Sequence, residues 1–391
     1  MSRELKMVDT DAHVLEPEDM WQNYLDPEFR DEMPRHWCGY GGDPLEFEFG
    51  VVIPSAEASA QYIMPTGRSP LGEKKPGVFA GAGNMEEAYD KYAAKGFTPD
   101  IYRDVLSEVG IEYMIVYPTV CLTTTAVPSL SAATAAAYRR AYNRWLGDFC
   151  AEAGGKVIGA TSIDFRDPVE AAKEVRRCTK EYGFRAVYAN PTPVSPYPLY
   201  HESYEPLWNA IEECDVGLAF HGAAGNSADQ LIAAFTPDLQ AGRGAISFGI
   251  HYMLQCAALI LGGVLENHPK LRVAFLEAGV GWAAYWIDRM ESGNQGGARG
   301  FIPRGLSMHP TEYFQRQCYV AAEQDDPGVK SFVEAFGIDN LIFSTDFGHP
   351  EGRRYASAVE DFSQHPDLTS SQTERIMWDN GLKLYGIRPT N

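Results

Sequence analysis

The chain has 391 residues, 45% of them hydrophobic, with a formal net charge of -20 and a pI near 4.9. That apolar fraction suits a globular protein with a large core, and the acidity, unrelieved by any Lys/Arg cluster, argues against nucleic acid and anionic membranes as partners. Seven cysteines, scattered singly without a C-x-x-C pair, read as reduced thiols, and the longest apolar run, Met253 to Leu265, is short for a bilayer span, so a cytoplasmic protein is expected.

Met7 to Pro17 opens as a short apolar run, then places Asp9, Asp11 and His13 at alternate positions, with Glu16 and Pro17 behind them. In a strand, alternate side chains share a face. Two carboxylates and an imidazole would then gather at its C-terminal end, a set suited to one divalent or trivalent ion such as Zn, Mn or Fe. Residues 18–98 differ in texture: they are rich in Pro, Gly and aromatics, among them Trp21, Tyr24, Trp37 and Phe49, and lack helical periodicity. They read as an inserted cap of irregular structure over one end of a core.

From Pro99 strands and helices alternate. The pattern predicts helices near Asp100–Val109, Ala132–Ala153, Pro168–Tyr182, Tyr204–Cys214, Ala245–Asn267, Trp282–Ser292, Pro327–Phe336 and Ser371–Tyr385. Between them lie apolar strands Ile111–Tyr117, Val157–Ile163, Phe184–Asn190, Val216–His221, Leu271–Glu277, Cys318–Ala322 and Leu341–Asp346. Asp167 before Pro168, with Gly183 behind Tyr182, is a helix start and stop. With the first strand this makes eight buried strands, the pattern of a single (β/α)8 TIM barrel over residues 1–391, with an aromatic-rich insertion after strand one.

Chemistry in that fold sits at the C-terminal strand ends. These carry Asp11 (or Asp9) and His13, then Tyr188 and Asn190, His221, Glu277 and Asp346. Asp11 or Asp9, His13, His221 and Asp346 are expected to converge above the barrel axis with Glu277 alongside, and Glu16 to reach a metal from its loop. His349 lies on the loop over the site, and Arg353 and Arg354 offer a local basic site for an anionic substrate. His268, at the start of a strand, reads as structural.

The opening D-A-H-V-L-E-P, the A-N-P-T-P after strand four, the H-G after strand five, H-P-K-L-R-V-A-F-L-E-A-G-V-G-W around strand six and F-S-T-D-F-G-H-P-E-G at strand eight together resemble the amidohydrolase superfamily. The branch is amidohydrolase 2, which includes relatives of aminocarboxymuconate semialdehyde decarboxylase. The resemblance implies a metal at the barrel mouth held by Asp11, His13, His221 and Asp346, and a homodimer. Two departures stand out. The usual H-x-H of strand one is D-x-H here, which shifts preference toward harder ions. Strand six carries Glu277 where decarboxylases of the branch usually present a histidine.

The expected reaction is therefore hydrolytic, with metal-activated water attacking the carbonyl of an ester, an acyl-CoA thioester or a C–C bond. Asp346 or Glu277 would be the general base, and His221 or His349 would stabilise the oxyanion. Tyr188, Asn190 and Arg353 would contact the substrate, with Tyr188 alternatively a metal ligand. The cap's aromatics suggest a bulky aromatic or polycyclic small molecule. The alternatives are non-oxidative decarboxylation of a hydroxylated aromatic acid, and a catalytically silent barrel that serves as a binding protein.

Overall fold

The computed structural model describes residues 6–17, 19–40, 47–52, 61–63, 92, 97–124, 130–191, 194, 197–222, 240–293, 302, 305–349 and 355–389. Eight parallel strands follow one another around the sheet: β1 (Met7–His13), β5 (Ile111–Tyr117), β6 (Val157–Ser162), β7 (Ala186–Ala189), β8 (Gly217–Phe220), β9 (Arg272–Phe275), β10 (Cys318–Ala322) and β11 (Leu341–Phe343). The ends of the sheet meet where Thr10 Oγ1 donates to Phe343 O (2.8 Å) and Asp346 N donates to Asp11 O (3.0 Å). The result is a (β/α)8 barrel, as the alternation of apolar strands and helices predicts.

Two layers of core explain why this sequence closes. Inside the barrel, small Ala160, Ala186, Ala219 and Ala274 interleave with Tyr117, Tyr188, Tyr319 and Tyr385, a small-and-large alternation that fills a narrow interior. Outside, apolar faces such as Ile101, Val105 and Leu106 of helix Pro99–Val109 pack on the strands. The predicted punctuation holds locally. Asp167 accepts from the N–H groups of Val169 and Glu170, Pro168 occupies the first turn, and Gly183 closes the helix at φ 70°.

Several elements differ from the sequence reading. The stretch after β1, expected to be irregular, contains a three-stranded antiparallel sheet of β2 (Arg35–Tyr40), β3 (Phe47–Val52) and β4 (Gln61–Ile63), and most of the remaining cap positions lie outside the described residues. The long helix predicted over Ala245–Asn267 breaks at Gly262–Gly263 into Gln240–Leu261 and Val264–Asn267. Gly263 sits at φ 82° and a Cβ on Gly262 would meet Ala258 O at 2.3 Å, so only glycine makes that corner. The final helix widens into a π turn at Arg375–Asp379. Helices Pro310–Gln317 and Tyr355–Ser363 were not anticipated.

The C-terminal helix Asn380–Tyr385 plugs the foot of the barrel. Tyr385 Oη donates to Thr10 O (2.9 Å) and meets Tyr117 Oη at 2.8 Å, while Arg272 Nε donates to Leu384 O (2.8 Å). No helix among the described residues is long and apolar enough to cross a membrane.

Candidate metal centre

β1 supplies two donors, and it does so through an irregularity. Val8 belongs to the inner core, yet Met7 and Ala12 belong to the outer one. Strict alternation would put Val8 and Ala12 on the same face. The register with β5 slips between Asp9 and Ala12, which pair with Met114 and Val116, so one extra residue reverses the alternation. Asp11 and His13 thereby turn to the barrel mouth and Asp9 leaves that face, against the expectation that all three share it.

Asp9 instead reaches the far end of the sheet. Its carboxylate accepts from Thr345 N (3.0 Å), from Thr345 Oγ1 (2.5 Å) and from Asp11 N (3.4 Å). Thr345 Oγ1 in turn accepts from Phe347 N (3.1 Å), and His13 N donates to Phe347 O (2.6 Å). Gly348, at φ 97°, lies so near His13 that a Cβ would come within 2.3 Å of its carbonyl oxygen. This stitching fixes the loop that carries Asp346 against the strand that carries Asp11 and His13.

The predicted strand ends are not strand residues. β8, β9 and β11 stop at Phe220, Phe275 and Phe343, and His221, Glu277 and Asp346 follow in the loops. Glu277 and Asp346 take left-handed conformations, φ 56° and 55°, which cost a non-glycine residue about 1–2 kcal/mol. Such strain persists where surrounding contacts impose it, commonly at functional sites.

Six side chains meet there. His13 Nε2 lies 3.6 Å from Asp11 Oδ1 and 3.3 Å from Asp346 Oδ1; His221 Nε2 lies 3.6 Å from Asp11 Oδ2 and 3.2 Å from Glu277 Oε2; His349 Nδ1 lies 3.4 Å from Asp346 Oδ1. The imidazole of His349 stacks on that of His13 at 3.5 Å and 7°. One donor atom each from Asp11, His13 and His221 falls within 4.8 Å of the others, as does one each from His13, Asp346 and His349.

The tautomers of two histidines follow from their neighbours. His13 Nδ1 faces Pro118 O at 2.8 Å and His221 Nδ1 faces Gly222 O at 2.7 Å. A carbonyl only accepts, so each Nδ1 carries the proton and each Nε2 presents a lone pair. Burial, aided by the neighbouring His349, pushes His13 down to about 4, and burial together with His13 and His349 holds His221 well below its usual value. Both imidazoles are thus neutral near pH 7. The carboxylates move the other way: burial and the charges of Asp346 and Asp9 raise Asp11 well above its ordinary value, and burial raises Asp346. His13 Nε2, His221 Nε2, Asp11 Oδ1 and both oxygens of Asp346 are buried with no hydrogen-bond partner. Orphaned lone pairs and crowded carboxylates are what a cation would satisfy, and two imidazoles with two carboxylates fit Mn, Fe or Zn.

Other sequence expectations are redirected. Glu16 is not among the gathered donors: Oε1 accepts from Thr119 N (3.2 Å) and Cys121 N (3.0 Å), and Oε2 from Val120 N (2.9 Å), so it clamps the turn after β5. Tyr188 does not face the metal donors with its hydroxyl, which donates to Leu122 O at 3.4 Å, and Asn190 Nδ2 reaches the same carbonyl at 3.3 Å. Arg353 and Arg354 lie outside the described residues. His268 is paired on both ring nitrogens, with Glu212 and Glu205 at 3.1 Å each, as a structural histidine should be. Sequence reasoning noticed Asp9 only as an alternative ligand and missed its clamp, for which the sequence offers no local signal.

Fold and donors together define a TIM barrel with a metal-ligating mouth. The chain belongs to the amidohydrolase family, in its amidohydrolase 2 branch: the family model described as "Amidohydrolase" matches residues 8–387. Among curated proteins, the gamma-resorcylate decarboxylase of Polaromonas sp. is 25% identical over 295 residues, covering 72% of this chain and 86% of that one. Among solved structures, an amidohydrolase from Mycobacterium avium subsp. paratuberculosis superposes with a TM-score of 0.75 at 21% identity, over 98% of this chain and 100% of that one. A dihydroxybenzoic acid decarboxylase from Polaromonas sp., solved with manganese and the inhibitor 2-nitroresorcinol, gives 0.63 at 20% identity, over 77% of this chain and 90% of that one.

Proposed function

We propose that this chain is a metal-dependent, non-oxidative decarboxylase of hydroxylated aromatic acids. The observation that carries the reading is the convergence of Asp11, His13, His221 and Asp346 with their lone pairs directed into one buried space, in a family whose relatives include the gamma-resorcylate decarboxylase. Manganese is the first metal to try, given the mixed oxygen and nitrogen donors. A divalent ion held there supplies Lewis-acid stabilisation of negative charge on the substrate's carboxylate and phenolic oxygens.

The protein's own part is to hold the ring and deliver a proton. Loss of carbon dioxide from an aryl carboxylate leaves an electron pair on the ring carbon, which takes up one proton to give the arene. Asp346 has two buried carboxylate oxygens without a hydrogen-bond partner, so one can serve the ion while the other carries that proton, and His349 Nδ1, 3.4 Å from Asp346 Oδ1, is placed to pass it a replacement. His13 and His221 stay neutral and fixed in tautomer through Pro118 O and Gly222 O. The reading takes the chain as a single-domain enzyme with residues 18–98 as an insertion in it.

A second reading rests on Glu277. Its carboxylate beside His221 stands where the branch's decarboxylases were expected to present a histidine, and a base at that position suits hydrolysis of an ester or acyl-CoA thioester. The two readings separate cleanly. Manganese-loaded protein incubated with 2,6-dihydroxybenzoate and related hydroxybenzoates is expected to release carbon dioxide and to release no thiol from bulky acyl-CoA thioesters. Thiol release without carbon dioxide would replace the first reading by the second.

A further inference from the structure

We propose that the cavity between helices Ala132–Glu152 and Pro168–Tyr182, beside the C-terminal end of β6, is a second binding site, for a small carboxylate with an apolar body whose carboxylate pairs with Arg139. The cavity measures about 270 Å³. That is ample beside the ~10–15 Å³ needed by one water and just below the ~300 Å³ at which sites for drug-sized ligands begin, so the ligand is small. Ala132, Ala136, Ile163 and Ala171 give it apolar walls.

Its charges are the argument. Around the rim each charge already has its partner: Arg140 pairs with Asp26 (2.7 Å), Arg177 with Glu174 (2.5 Å), Lys173 with Glu170, and Asp164 with Arg166 (2.6 Å). Asp167 caps its own helix. Arg139 is the exception. It is 4% exposed, its Nη1 donates only to the neutral Ser162 Oγ (2.7 Å), its Nε has no partner, and its guanidinium lies 5.7 Å from the centre of the Tyr188 ring.

A guanidinium stays charged in proteins, and a buried charge without a counterion is strongly unfavourable. Burial indeed lowers Arg139 below its usual value, with Tyr188 and Asp164 pulling the other way. Asp164 offsets this only through space, since it makes no ion pair with Arg139 and its oxygens accept from Arg166 N (2.9 Å) and Arg166 Nη1. A bound carboxylate on the free guanidinium edge would complete the pairing in the bidentate geometry arginine favours, with the ligand's apolar body against the alanine walls.

The test uses 2-fluorobenzoate as the probe, titrated into the metal-loaded protein and followed by fluorine NMR and calorimetry. A saturable site is expected that survives Asp11→Asn, which dismantles the metal centre, and that Ala136→Trp abolishes by filling the cavity. Arg139→Gln should weaken it at least about tenfold, the loss of one charge-assisted pair. The isosteric neutral probe 2-fluorobenzamide, which needs no variant, should bind at least about tenfold more weakly to the unaltered protein. Binding that disappears with Asp11→Asn, that persists in Ala136→Trp, or that treats acid and amide alike overturns the proposal. None of these readouts depends on turnover, so the decarboxylase reading can fail while this site stands, and the reverse.

Discussion

His268 at the foot of the barrel and His221 at its mouth are both buried, 3% and 0% exposed, yet their ring nitrogens are used in opposite ways. His268 has a carboxylate on each nitrogen, Glu212 and Glu205. His221 gives Nδ1 to a carbonyl and leaves Nε2 facing Asp11 and Glu277 with no hydrogen-bond partner. The same contrast runs through the two ends. At the foot, Asn380 Nδ2 bonds the carbonyls of Ile338 and Leu341, and Tyr385 closes on Thr10. At the mouth, Asp11 and Asp346 keep buried oxygens without donors, and two non-glycine residues hold left-handed backbone. At the foot His268, Asn380 and Tyr385 find their partners within the protein, with Arg272 Nη2 and Tyr319 Oη as exceptions, whereas at the mouth the unpartnered atoms gather at one point and belong to metal-ligand residue types. The distinction lies in what each residue leaves unpaired, since residue type and burial are shared.

That contrast can be broken at its strongest point first. Asp346→Asn should lower decarboxylation by about 10²–10⁴-fold, the usual weight of a positioned acid or base, with the fold intact by circular dichroism; full turnover with metal retained would take Asp346 out of the chemistry. Stripping the metal with a chelator should cost about 2.7 kcal/mol of unfolding free energy relative to protein held at a hundredfold excess of metal over its Kd. Urea unfolding with and without manganese measures this, and coincident curves would mean that the mouth holds no ion.

The clamp under the mouth gives the next smaller effect. Asp9→Asn leaves every proposed ligand in place but weakens the link to Thr345, and metal affinity should fall about 10–100-fold, as for other residues that orient ligands. Competition titration against a fluorescent chelator reads it; a lowered melting point with unchanged affinity would make Asp9 merely structural. The control belongs at the foot. Tyr385→Phe strands Thr10 O and the Tyr117 hydroxyl, and should destabilise by about 1–3 kcal/mol while leaving metal affinity untouched. Loss of metal in that variant would show that the two ends are not separable.

Much of this architecture was legible in the chain itself. Eight apolar strands alternating with amphipathic helices, several of them closed by glycine as at Gly110, Gly183 and Gly337, point to a barrel, because parallel strands of that kind must be covered on both faces. The rule that chemistry gathers at C-terminal strand ends then singled out Asp11, His13, His221, Glu277 and Asp346. The engagement of Glu16 was not legible because the three N–H groups from which it accepts lie more than a hundred positions away, and a carboxylate near a proposed metal looks the same in sequence whether or not its oxygens are already engaged.

The sequence by itself determined the fold class and which polar residues stand at the mouth, since periodicity and strand ends are local properties. Tertiary structure alone decided how they are used. The bulge that turns Asp11 and His13 inward appears only in the register of β1 against β5. The Asp9–Thr345 clamp joins positions 336 residues apart, and Arg139 becomes an uncompensated cation only once its neighbours have paired with one another. Each depends on which distant groups arrive at the same place, which no window of sequence records.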